Sequence, residues 1–169
     1  MKKTMIFVVV LLIGVTSFAQ NRNLKIGAFG ALPIGDTKEV SKTGFGLDAT
    51  YLFEVSNKFD VGFATGLSFF KGEKVTLREQ GFVATYKYKD AKYIPITGVV
   101  RFNVIKKLYL GADIGYAVGI GKGIKGGFHY KPRIGYRVTD LIGINTSFTG
   151  LKVKNGTWNT INFGIELNL

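Results

Sequence analysis

The sequence predicts an all-β protein: an eight-stranded, antiparallel up-and-down β-barrel that crosses a membrane. Three observations predict it. Segments of alternating hydrophobicity recur along the chain, their non-apolar faces are rich in glycine and hold the charges, and every second connection is short. The clearest segment is Leu108–Gly121. Leu108, Leu110, Ala112, Ile114, Tyr116, Val118 and Ile120 share one face; Tyr109, Gly111, Asp113, Gly115, Ala117, Gly119 and Gly121 share the other. A two-residue period marks a strand. A half-buried soluble strand puts bulky polar side chains on its solvent face. Here the non-apolar face has almost no bulk, which fits the inside of a narrow barrel whose apolar face meets lipid.

The strands follow in order. Asn23–Leu32 alternates Leu24, Ile26 and Ala28 against Lys25, Gly27 and a bulky inward Phe29. After a polar loop, Pro33–Thr43, comes Gly44–Glu54, with Phe45, Leu47, Ala49, Tyr51 and Phe53 opposite Gly46, Asp48 and Thr50. Val55–Phe59 is a short turn. Asp60–Lys71 sets Val61, Phe63 and Leu67 against Gly62, Ala64 and Gly66. Gly72–Ala91 is the longest irregular segment, part of which extends the flanking strands as a hairpin beyond the membrane. Lys92–Val104 points Ile94, Ile96, Val100 and Phe102 outward and Thr97, Arg101 and Asn103 inward.

Ile105–Lys107 is a tight turn into Leu108–Gly121, and Lys122–Gly126 is a basic, glycine-rich loop. Gly127–Val138 faces His129, Lys131, Arg133 and Arg137 inward. Thr139-Asp140 turns into Leu141–Leu151, and Lys152–Gly156 is a hairpin loop ending in Asn155-Gly156. Thr157–Leu169 closes the chain with Glu166 inward. Pro95 and Pro132 fall inside strands, where β-bulges are expected to absorb the missing N–H. Outward aromatics suggest two girdles: Phe45, Phe69, Tyr93, Phe128, Tyr130 and Phe148 on one side, Phe53, Phe102 and Tyr136 on the other.

Charge supports the same parity. Asp48, Arg101, Asp113, Lys131, Arg133, Arg137 and Glu166 all fall on inward faces. An Arg or Lys facing lipid at the bilayer centre costs about 2–4 kcal/mol. Inward glycines leave room for Arg101, Arg133 and Arg137 to pair with Asp48, Asp113 and Glu166. Buried charge is tolerable when paired and hydrogen-bonded. The expected lumen is a packed, charge-paired core rather than an open pore.

Composition bounds the rest. The chain has 169 residues, enough for one domain, and no cysteine, so it has no disulfide framework, thiolate metal site or cysteine nucleophile. Its formal charge of +12 raises polyanionic partners. The charge is scattered, and no basic run resembles a DNA-reading helix, so nucleic acid is not a predicted partner. Lys2 and Lys3, the apolar run Met5–Val15 and small residues at Ser17 and Ala19 form a secretory signal peptide. Residues 1–19 are the expected signal and 20–169 the barrel. No later segment reaches the about eighteen apolar residues a membrane helix needs, so a spanning chain has to be a barrel.

Ser17-Phe18-Ala19-Gln20, Tyr93-Ile94-Pro95-Ile96 and the terminal Phe163-Gly164-Ile165-Glu166-Leu167-Asn168-Leu169 resemble the small OmpA/OmpX-type barrels. More narrowly, the mature chain is similar to the outer membrane protein beta-barrel domain family, PorT-like barrels included, typical of Bacteroidetes. The last residue is Leu169 and not the commoner aromatic. The resemblance implies residence in the outer membrane and folding by the barrel-assembly machinery. It implies no single activity.

No catalytic, metal-ligating or cofactor-binding constellation stands out. His129 is the sole histidine, and no spacing ties a serine to it. Gly119-Ile120-Gly121-Lys122-Gly123 lacks the strand–loop–helix context of a phosphate loop. Lys122, Lys125, Lys152 and Lys154 fall on external loops, where they could meet lipopolysaccharide phosphates. Gly72–Ala91 alone is long enough to offer an extracellular ligand a specific surface. The leading function is a non-enzymatic outer-membrane barrel, structural or presenting its loops for binding or adhesion. The alternatives are the membrane anchor of a secretion or envelope-assembly system, and a barrel lipid hydrolase.

Overall fold

The computed structural model describes residues 23–79, 82–87, 89–121, 123–153 and 156–169. The strands are β1 (Leu24–Ile34), β2 (Ser41–Ser56), β3 (Phe59–Gly72), β4 (Lys74–Glu79), β5 (Phe82–Lys87), β6 (Ala91–Asn103), β7 (Leu108–Ile120), β8 (Gly127–Arg137), β9 (Ile142–Val153) and β10 (Gly156–Asn168). One turn of helix, α1 (Thr37–Val40), links β1 to β2.

Eight strands close a barrel in the order β1-β2-β3-β6-β7-β8-β9-β10, each antiparallel to its neighbours, and β10 returns to β1 from Lys25↔Asn168 to Ile34↔Asn159. Closure leaves the barrel wall no free edge. The stagger can be traced through paired residues. From Arg101 the row runs through Gly111, Arg133, Ser147, Asn162, Ala31, Gly44 and Phe70 to Ala91, ten residues up β6 from its start. The strands therefore tilt strongly, and residues at one height are not those hydrogen-bonded in one row.

Alternation governs the wall. Ile26, Leu47, Phe63, Ile96, Ile114, Ile134, Ile144 and Phe163 are exposed on the outside, while Lys25, Thr50, Asp60, Thr97, Asp113, Lys131 and Glu166 are buried inside. From the fourth residue in at either end of each barrel strand, the exposed side chains are apolar, glycine, proline or threonine; Lys42, Glu54, Lys71, Lys92 and Lys152 are exposed nearer the ends.

Three short connections share one end with Leu24 and Leu169. In the β2–β3 turn, Ser56 Oγ accepts from the N–H of Phe59 (3.2 Å). In the β8–β9 turn, Thr139 Oγ1 accepts from the N–H of Ile142 (2.9 Å). The β6–β7 turn is held by the N–H of Val104 donating to the carbonyl of Leu108 (2.9 Å).

Four expectations are corrected. The polar loop 33–43 is shorter than read, because β1 runs on to Ile34, β2 starts at Ser41 and α1 fills the gap. The segment 72–91 is not mainly irregular: β4 and β5 pair from Lys74↔Lys87 to Glu79↔Phe82 as a separate two-stranded sheet. Neither strand proline sits in a bulge. The register is the same on both sides of Pro132 (Tyr130↔Gly150, Arg133↔Ser147) and of Pro95 (Thr65↔Ile96, Ser68↔Tyr93). Each proline interrupts the ladder on one side, while its opposite neighbour stays paired (Pro95↔Ala117, Ala112↔Pro132). Finally, Tyr93 does not join an outer girdle. It is buried inside with Phe70, its ring 6.1 Å from that of Trp158.

Candidate functional site

The inward residues build three levels. The middle level holds two ties across the barrel. Arg101 on β6 donates to Glu166 on β10 through Nη1 to Oε1 (3.1 Å) and Nη2 to Oε2 (3.2 Å). Tyr109 on β7 donates its hydroxyl to Glu166 Oε2 (2.9 Å), and the Arg101 guanidinium lies 4.4 Å from the centre of the Tyr109 ring. Lys131 on β8 donates to Asp48 on β2 at 3.0 Å. In the closed order β6 and β10 stand on opposite walls, as do β2 and β8, so the two ties cross. Arg133 bonds Asp113 on the adjacent strand and lies 3.9 Å from Asp48. Arg101, Lys131 and Arg133 balance Asp48, Asp113 and Glu166, as desolvated charge requires.

Inward glycines supply the space. The Tyr109 ring lies where a Cβ on Gly135 would be. A Cβ on Gly111 would stand 3.0 Å from Arg133 Cγ, and one on Gly143 2.9 Å from Glu166 Cγ. Phe29, the bulky inward residue, fills the notch over Gly46 and carries the Lys131 ammonium 4.5 Å from its ring centre.

Above this level lies a cavity of about 40 Å³, bounded by Asp48, Asp113, His129 and Lys131 below and by Phe70, Tyr93 and Trp158 above. Two buried atoms on its walls, Asp113 Oδ1 and His129 Nδ1, have no protein partner. At about 10–15 Å³ per water, the space suits a few bridging waters. Beside it, Asn162 accepts from Thr160 Oγ1 (2.9 Å) and donates to Thr149 Oγ1 (2.8 Å). Below the cross-ties a wider vestibule opens at the short-turn end.

Of the sequence-predicted lumen residues, Asp48, Arg101, Asp113, Arg133 and Glu166 meet one another or Lys131. Arg137 is the correction. It sits at the last residue of β8, one level too low for the carboxylate cluster, and donates to Asn103 Oδ1 (2.8 Å) and to the carbonyl of Lys106 (3.0 Å). Asp48 takes Lys131 as its 3.0 Å partner, a residue read as inward but assigned no acid. Tyr109 had no predicted role; its signal was its inward parity and the glycine facing it, Gly135.

His129 is buried inside the lumen, and among the described residues no serine hydroxyl bonds to it. No cluster of three potential metal ligands occurs among the described residues. Of the loop lysines, Lys125 is exposed, and Lys152 is exposed on β9 between Phe128 and Thr157. Lys122 and Lys154 lie outside the described residues.

No protein-family profile and no curated sequence matches the chain. Solved structures do. The attachment invasion locus protein Ail of Yersinia pestis, in a phospholipid nanodisc, aligns over 86% of this chain and 98% of its own at 16% identity and a TM-score of 0.58. Neisserial surface protein A aligns over 87% and 97% at 12% identity and a TM-score of 0.58. The protein has the fold of the small eight-stranded outer-membrane barrels. A de novo designed transmembrane β-barrel matches too, at 10% identity, a TM-score of 0.53 and coverage of 86% and 94%. The fold therefore comes with no particular activity.

Proposed function

We propose that the protein is a non-enzymatic integral protein of the bacterial outer membrane. Its barrel serves as an anchor, and its long-connection end presents a basic surface to lipopolysaccharide or an extracellular ligand. The observation that carries this reading is the inverted wall: an uncharged apolar exterior around a charge-paired interior. That arrangement is costly in water and favourable in lipid. A signal peptide spanning residues 1–19 is removed, residues 20–169 form the barrel, and the barrel-assembly machinery inserts it. The PorT-like affiliation belongs to this proposal and rests on Tyr93-Ile94-Pro95-Ile96 and Phe163–Leu169.

The binding reading rests on charge placement. The middle level of the lumen is neutral, so the excess positive charge lies at the ends. At the long-connection end Lys38, Lys42, Lys71, Lys89, Lys92, Lys125 and Lys152 are exposed. Lys42 pairs with Glu73 at 3.4 Å, and Lys92 lies 5.7 Å over the Phe69 ring. Such a crown attracts phosphate-bearing surfaces, and salt screens the attraction. The β4–β5 hairpin rises from the same end and is the surface offered to a specific ligand. The test is lipopolysaccharide binding at increasing salt, comparing the full chain with a variant carrying glutamine at 122, 125, 152 and 154. The reading requires weaker binding and a shallower salt dependence in the variant. Identical curves contradict it.

A further inference from the structure

The short-turn end of the barrel opens into a vestibule of about 740 Å³, a size that falls in the range of about 300–1,000 Å³ typical of ligand sites. Its floor is built rather than incidental. Lys25 Nζ donates to Asn168 Oδ1 at 2.5 Å, and Arg137 Nη2 donates to Asn103 Oδ1 at 2.8 Å. Each amide nitrogen also donates once, Asn103 Nδ2 to Asp60 Oδ2 (3.0 Å) and Asn168 Nδ2 to the carbonyl of Asp140 (3.3 Å). Lys25, Asp60 and Asn168 are all nine-tenths buried or more.

What this lattice leaves for a guest is donor capacity on fixed cations. An ammonium has three N–H groups and a guanidinium five. The structure gives Lys25 one acceptor and Arg137 two, the second being the carbonyl of Lys106. Against these two cations the floor sets one carboxylate, Asp60. Lys58, Lys106 and Lys107 add exposed positive charge at the rim, against the two exposed acids Glu54 and Asp140, so cations outnumber carboxylates around the vestibule. The acids of the middle level are each paired with Arg101, Lys131 or Arg133.

We propose that this vestibule binds a small solute bearing an oxyanion, a carboxylate or a phosphate. Lys25 and Arg137 hold the oxyanion at the floor, and Lys106 and Lys107 guide it in. The site goes beyond the anchoring and surface-binding reading and lies at the opposite end of the barrel. Planar oxyanions suit the fork of a guanidinium, and a lysine beside it supplies a point charge.

The experiment uses the full mature chain refolded in micelles, with side-chain amide and backbone NMR signals as the readout. Inorganic phosphate and succinate are titrated separately, each against sodium chloride at equal ionic strength. The proposal expects saturable shifts at Asn103 and Asn168 with at least one oxyanion and none with chloride. The arm that saturates distinguishes phosphate from carboxylate. Arg137→Gln should raise the dissociation constant about tenfold, the equivalent of one charge-assisted hydrogen bond. Lys106→Gln with Lys107→Gln, on an exposed turn that leaves the floor intact, should raise it by a smaller factor. Linear shifts matched by chloride overturn the proposal, as do saturable shifts unaltered in the Lys106/Lys107 variant.

Discussion

Arg101 and Glu166 face each other from opposite walls of the barrel and join through two hydrogen bonds, with both side chains buried. The stagger brings them level. The hydrogen-bonded row from Arg101 reaches β10 at Asn162, and half a circuit lifts it by about five residues, so the residue at Arg101's height lies near Glu166. Lys131 and Asp48 are related in the same way across the other diameter.

Cutting this tie leaves a charge without its partner in a desolvated lumen. Glu166→Leu should destabilise the barrel by about 3–5 kcal/mol, and Arg101→Met should do the same. The double variant Arg101→Met with Glu166→Leu should recover much of the loss, since no charge is then orphaned. Urea unfolding in lipid vesicles, followed by the fluorescence of Trp158, measures all three. Independent, additive losses would show that the residues do not act as a pair.

Asp113→Leu should cost less. Its partner Arg133 retains Asp48 at 3.9 Å, so the guanidinium is not left alone. A loss of about 1–3 kcal/mol in the same assay is expected. A loss as large as that of Glu166→Leu would mean that Asp48 gives Arg133 no support.

The glycine face can be tested by filling it. In Gly135→Val the new side chain occupies the space of the Tyr109 ring, and overpacking should cost about 1–3 kcal/mol. Tyr109→Ala in the same background should restore part of that. Gly30→Val, where nothing lies within 4 Å of the added Cβ, should be tolerated. Equal penalties at Gly135 and Gly30 would refute the clearance argument.

Parity was legible in the sequence, and with it the strand count of the barrel, the apolar exterior and the inward placement of Asp113 and Glu166. Partnership was not. Which base meets which acid depends on the stagger between strands, and a single strand's period carries no trace of it. Arg137 shows the consequence: its parity is right but its height is wrong, so it bonds Asn103 and the Lys106 carbonyl. Tyr93 shows the converse error. Its aromatic character suggested a girdle, while its parity with Thr97 and Arg101 placed it inside. Pro95 and Pro132 were read as bulge sites because periodicity cannot say on which side of a strand the ladder breaks. The hairpin within 72–91 was legible in part, but as an extension of the flanking strands, whereas β4 and β5 pair as a separate two-stranded sheet.

A filled lumen predicts poor conduction. Arg101, Tyr109 and Glu166 line neither the upper cavity nor the vestibule and fill the section between them. The purified barrel in planar bilayers should therefore show little or no steady ion current. A stable ohmic conductance would mean that the cross-ties do not close the lumen.

The central claim is that the apolar wall faces lipid, and electrophoretic migration of the membrane-fractionated protein tests it most directly. Sampled without boiling, a closed barrel resists unfolding and should run ahead of its boiled form, with the protein recovered in the outer-membrane fraction. Recovery in the soluble periplasmic fraction, with the same migration before and after boiling, would contradict the account.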